Sequence, residues 1–145
     1  MKKTIVVVTL GLSLILNAEF IRNDLKNIVV DTKTGLQWQD YLHPTRDNFS
    51  EAVNYCYTLN HGGYTDWRLP NINEYITLTD YNTHYPAVSR EFAYIYASEL
   101  YLSSTAYAND SDDYKKFYIS RTGTTDTRQT YHSDDYNFFC VIAGQ

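Results

Sequence analysis

A chain of 145 residues with twelve basic and seventeen acidic side chains carries a net charge of −5 with histidine neutral. That balance excludes nucleic acid and anionic membrane surfaces as partners, because neutralising phosphates takes clustered Lys and Arg, and beyond Lys3 only Lys115 and Lys116 are adjacent. The length suits one domain, able to bury about two thirds of its unfolded surface.

In chain order, Met1-Lys2-Lys3 and the apolar run Thr4 to Leu16, ending at Asn17-Ala18, read as an export signal, residues 1–18, with cleavage expected after Ala18. The run falls short of the roughly 20 residues a membrane-spanning helix needs. The mature domain, residues 19–145, is expected in the periplasm, secreted or at the cell surface, with no membrane insertion after signal removal. Loss of Lys2 and Lys3 leaves ten basic residues against seventeen acidic ones, a net charge of about −7. Two cysteines in an exported chain predict one disulfide, Cys56 to Cys140. Neither has a histidine or a cation beside it to make a reactive thiolate.

Asn27 to Asp31 reads as a strand, Thr32-Lys33-Thr34-Gly35 as a turn and Leu36 to Gln39 as the returning strand. Phe49, Ala52, Val53, Cys56 and Leu59 have the spacing of one helical face, with Asp47 or Asn48 as cap and Gly62-Gly63 as stop. Asn71 with Glu74 forms a capping box after Pro70, predicting a second helix from Ile72 to Asp80 that buries Ile72, Ile76 and Leu78 or Tyr75. Beyond it, Glu99 to Ser103, Lys115 to Arg121 and Tyr136 to Ile142 are the strand candidates; Ala106 to Asp113 reads as an acidic loop and Arg121 to Asp126 as a turn. A hairpin, two helices and then several strands is an α+β order.

The densest motif is Gly63-Tyr64-Thr65-Asp66-Trp67-Arg68-Leu69-Pro70-Asn71-Ile72-Asn73-Glu74. With Asp31-Thr32-Lys33-Thr34-Gly35-Leu36-Gln37-Trp38-Gln39-Asp40 upstream and Phe139-Cys140-Val141-Ile142-Ala143-Gly144-Gln145 at the end, it resembles the Lcl C-terminal domain family, named for a bacterial collagen-like adhesin. The resemblance runs from about Ile28 to Gln145. It implies a C-type-lectin-like fold: a mixed or antiparallel sheet with two helices and with N- and C-terminal strands paired. It also implies adhesion through polysaccharide. Two departures from the family pattern stand out. Leu102, after Tyr101, precedes Ser103-Ser104 where a tryptophan is usual, and Phe139 and Ile142 flank Cys140 where arginines are usual. The missing positive charge argues against sulfated chains as ligands.

Trp38 and Trp67 could stack on sugars, but inside these motifs they are expected to supply core volume. Arg68 is expected to be held by an internal acid, Asp66 or Glu74, as a structural pair. Fifteen tyrosines suggest a tyrosine-lined binding face, with Tyr101, Tyr107, Tyr114 and Tyr131, in or beside polar loops, expected to be exposed on it. Asp110, Asp112 and Asp113 open like a calcium loop, but Tyr114 and Lys115 stand where oxygen ligands should follow. His43, His61, His84 and His132 have no metal-ligand spacing, and His132 with Asp134 or Asp135 lacks a nucleophile elbow. No cofactor, metal or catalytic residue is therefore expected.

The expectation is an exported, adhesin-like binding module for a glycan or another envelope ligand. A protein-interaction or structural subunit of the envelope is the first alternative. A glycosidase-like enzyme, needing two carboxylates about 5 to 9 Å apart, is the second.

Overall fold

The computed structural model describes residues 19–41, 47–80, 88–96, 99–107, 110–119, 125–129 and 135–144, with backbone alone for residues 107, 110–119 and 125–129. β1 (Phe20–Asn23), β2 (Ile28–Asp31), β3 (Gln37–Gln39) and β7 (Val141–Ile142) form an antiparallel sheet in the order β1-β2-β3-β7. The C-terminal strand thus joins the N-terminal hairpin, against β3. β4 (Leu100–Tyr107), β5 (Asp110–Ile119) and β6 (Thr125–Gln129) form a second antiparallel sheet. With α1 (Phe49–Thr58) and α2 (Ile72–Thr77), the architecture is α+β.

The β2–β3 turn explains itself locally. The buried Asp31 carboxylate accepts the backbone N–H groups of Lys33 and Thr34 at 2.8 and 3.2 Å and the Thr34 hydroxyl at 2.6 Å, the local bonding by which Asp favours turns. Gly35 closes the turn at φ 74°, a conformation in which glycine has no steric penalty. Gly144 lies so close to this turn that a Cβ on it would overlap the Gly35 carbonyl oxygen.

β1 has no counterpart among the expected elements. Its four residues carry no alternation long enough to read, and the β1–β2 connection turns at Asn27 with φ 50°, without glycine or proline. What holds β1 is remote. The Arg22 guanidinium pairs with Asp40 and Asp24 and donates to the Glu91 carbonyl at 3.0 Å. Asp40, fully buried, also accepts the N–H groups of Ala93 and Tyr94 at 2.8 and 3.2 Å.

The first sheet divides the core in two, because neighbouring residues on a strand point to opposite faces. Val29, Trp38 and Val141 are cross-strand partners. They join Phe20, Tyr75, Phe92, Tyr101 and Phe139 in one cluster, on the α2 side. Ile28 and Ile142 join Ala52, Cys56, Trp67, Leu69, Leu102, Phe138 and Cys140 in the other, on the α1 side. Both tryptophans are core, as expected, and the Cys56–Cys140 disulfide ties α1 to the residue before β7 across 84 positions, with Cα atoms 5.5 Å apart.

Both helices start where the sequence places them and end early. Asn48 caps α1 through a capping box with Glu51, and Asn71 caps α2 through one with Glu74, two orphan N–H groups being satisfied each time. α1 stops at Leu59, before Gly62-Gly63, and buries Ala52 and Cys56 with Tyr55 and Leu59 beside them. Val53 points outward, because the disulfide sets the rotation of the helix toward Cys56. α2 buries Ile72, Tyr75 and Leu78 and leaves Ile76 exposed, contrary to expectation. It ends at Thr77, and Thr79 then pairs with Val88 in place of a further helical turn.

In the second sheet, the stretch expected as an acidic loop is largely strand. Ala106 pairs with Tyr114 and Tyr107 with Asp110 across a register shift, so Asp110 to Asp113 begin β5. Thr125 and Asp126, expected in a turn, belong to β6; residues 121–124 lie outside the described set. Of Tyr136 to Ile142 only the last two residues form a ladder, while Tyr136 and Asn137 bridge singly to Asp47 and Tyr101. The Asn137 bridge, with Leu102 N–H to Asn137 O at 2.8 Å and Ser104 N–H to Pro70 O at 2.8 Å, ties β4 to the segment leading into β7 and to the start of α2.

Arg68 forms a two-armed pair with Glu74, at 2.8 and 2.5 Å, and pairs by backbone with Val141. Burial pushes the Glu74 carboxyl up, but the Arg68 hydrogen bonds, the Asn71 N–H and the Arg68 charge outweigh it and hold it below the usual glutamate value.

Two stability predictions arise here. Replacing both cysteines by alanine lowers stability by about 2–5 kcal/mol, read as a drop in thermal midpoint by circular dichroism. Glu74→Gln keeps the capping box, since Gln also serves at that position, but loses the ion pair. A carboxylate with depressed folded-state pKa contributes stability above its unfolded pKa and loses it as pH falls through the folded value. Urea titrations from neutral pH into the acid range should therefore show a shallower acid loss for Glu74→Gln than for the wild type. At neutral pH its cost is no more than about 1 kcal/mol, because the Arg68 side chain is half exposed.

Candidate functional site

Gly62 and Gly63, read from the sequence as a helix stop, make a two-residue hairpin turn. His61 and Tyr64 exchange both backbone hydrogen bonds at 3.0 Å, and both glycines have positive φ, 62° and 90°, the pattern of a type I′ turn. Gly62 is doubly constrained: a Cβ there would also overlap the Ile28 side chain. The buried Trp67 anchors this turn from below, its indole N–H shared between the His61 and Tyr64 carbonyls at 3.3 and 3.2 Å. Asn27 fixes it from the side. Its carbonyl accepts the Asp40 N–H at 2.9 Å and lies 3.3 Å from His61 Nε2.

The result is a row of aromatic rings. Tyr41 and His61 have ring centroids 6.0 Å apart, His61 and Trp67 5.9 Å, and Tyr64 and Trp67 6.3 Å. Trp67 is the buried foundation, His61 and Tyr64 are half-buried, and Tyr41 is 51% exposed. Tyr55, on α1, is half-buried against Phe138, with ring centroids 5.5 Å apart. Burial first, then the proximity of Tyr41 and Asp47, raises its hydroxyl pKa above the ordinary tyrosine value. At the Tyr64 end of the row the Lys26 ammonium stands 5.1 Å from the centre of the Tyr64 ring, a cation–π arrangement. These side chains come from the β1–β2 connection, the second residue after β3 and the segment around the glycine turn, so the row depends on the complete fold.

The tyrosines singled out from the sequence fare differently. Tyr101 is not exposed: it is 2% accessible, stacked on Phe139 at 5.3 Å, with its hydroxyl accepting the Tyr96 N–H at 2.9 Å. It faces α2 because it sits at a core position of β4, and its expected surface role is withdrawn. Burial drives its hydroxyl pKa, and that of Tyr75, far above the ordinary value, so both stay neutral. Tyr107 ends β4 and Tyr114 lies in β5, where backbone alone is described; Tyr131 lies outside the described residues. Arg68 is committed to Glu74, as expected.

Tyr41, His61 and Tyr64 were not picked out as a site by sequence reasoning. The available signal was Gly62-Gly63 between a histidine and a tyrosine, a hairpin-turn signature in its own right. Among the described residues no three His, Cys, Asp or Glu side chains come together as a metal site, and no helix is long and apolar enough to cross a membrane.

No curated protein and no solved structure matches the chain. Residues 27–142 match the Lcl C-terminal domain, a span that takes in the hairpin, both helices, the disulfide and the glycine turn beneath the aromatic row. The chain belongs to the Lcl C-terminal domain family.

Proposed function

We propose that this domain is an exported, non-catalytic binding module of adhesin type that recognises carbohydrate through the aromatic row. The observation that carries the reading is the row in which exposed Tyr41 packs on His61, and half-buried His61 and Tyr64 are seated on buried Trp67. Rigid aromatic side chains with polar edges give wide contact area at small entropic cost, and a ring face is complementary to the apolar face of a pyranose. Membership of an adhesin-derived family supports the role. The disulfide fits an oxidising compartment, the periplasm or the cell surface.

A second reading, a protein partner in the envelope, has one observation in its favour. Val53 and Tyr57 stand one helical turn apart on the outer side of α1, and Tyr57 is 78% exposed. A partner helix or loop packed there would use apolar contact without the aromatic row.

Screening the exported protein on a broad glycan array, with and without calcium, is expected to show calcium-independent binding. Tyr41→Ala should weaken that binding about tenfold, the scale of one lost aromatic contact, without moving the thermal midpoint. Tyr101→Ala, by contrast, should lower stability by about 3–5 kcal/mol as a truncated core aromatic. Silence across neutral and acidic glycans would overturn the carbohydrate reading in favour of the protein partner.

A further inference from the structure

The cations of the first sheet and of the signature motif are committed to acids: Arg22 to Asp40 and Asp24, Lys33 to Glu19, Arg68 to Glu74. Lys26 is different. Among the described residues no carboxylate pairs with it, and its ammonium rests on the face of Tyr64 at the end of the aromatic row. The ring fixes where the charge stands, and an exposed cation–π contact at about 0.5–1 kcal/mol is weak enough to be shared with a ligand. An ammonium has three N–H donors and no acceptor. Its complement is an anion, and the neighbouring rings call for that anion to be attached to a sugar.

The charge balance narrows the class. One ammonium answers one negative charge, and His61 Nε2 is already turned to the Asn27 carbonyl. A densely sulfated chain would bring many charges toward a protein with seventeen acidic against twelve basic residues, where long-range repulsion opposes association. We infer that the ligand of the aromatic row is an unsulfated, carboxylate-bearing sugar of hexuronate type, lying at the Tyr64 end of the row with its carboxylate on Lys26. This inference rests on the carbohydrate reading above. It makes Lys26 the residue that selects acidic over neutral sugars.

Calorimetric titration with oligogalacturonate, its fully methyl-esterified counterpart and heparin tests it on the wild type, Lys26→Ala and Lys26→Arg. Near-UV circular dichroism checks that the exposed substitution leaves the fold intact. The acid should bind about tenfold tighter than the ester, the scale of one charge-assisted hydrogen bond. Lys26→Ala should abolish that preference and Lys26→Arg should keep it. Equal affinity for acid and ester, a preference that survives Lys26→Ala, or heparin binding tighter than oligogalacturonate would overturn the inference and leave the carbohydrate reading standing. Absence of binding to every sugar, on the array and in titration, would overturn both.

Discussion

The Asp40 carboxylate is the point on which separate parts of this fold converge. It is fully buried, and an ionised carboxylate in that position is tolerated only when donors surround it. Arg22 from β1, and the backbone N–H groups of Ala93 and Tyr94, supply them. β1 is therefore held by an ion pair and a segment some seventy residues away, as well as by its ladder to β2. Tyr41 follows directly on Asp40, so the constraint that closes the core also fixes the start of the aromatic row. The aromatic row and the folding core share one polar knot.

The two clusters on either side of the first sheet show how tyrosine is divided between core and surface. Tyr75 and Tyr101 are buried with their hydroxyls satisfied by the Phe139 and Tyr96 N–H groups, which is the condition for placing a phenol inside a protein. Tyr41, Tyr57 and Tyr96 stand at least half in water. Residue type alone does not separate the two groups. A tyrosine becomes core when its position in the ladder turns it inward and an unpaired N–H waits at the right depth, and both conditions are set by distant chain.

That is also why legibility varied along the sequence. The capping boxes at Asn48 and Asn71, the Asp31 turn and the Cys56–Cys140 pair could be read because each is a local grammar or a simple count. β1 could not, since four residues with one buried end have no period of their own. The rotations of α1 and α2, which expose Val53 and Ile76, follow from what each helix packs against. Asp110 to Asp113 look like loop and pair as strand because β4 and the bulged register supply partners. The aromatic row was illegible for the same reason: Tyr41, His61 and Tyr64 are brought together by a glycine turn and a buried indole that the positions of the residues in the sequence do not announce.

The disulfide has a consequence for how such a chain matures. If the chain crosses a membrane N-terminus first, Cys56 arrives on the far side 84 residues ahead of Cys140. Throughout that interval it is an unmated thiol on a ten-residue helix, and a helix that short is marginal without its packing partners. The helix's core cluster, begun by Ile28, Trp67, Leu69 and Leu102, is complete only when Phe138, Cys140 and Ile142 arrive. Maturation is thus gated from the far end of the domain. The early cysteine is open to capture by foreign thiols until the last strand is delivered, which makes an oxidoreductase that can unmake wrong pairings as useful to this protein as one that makes the right one.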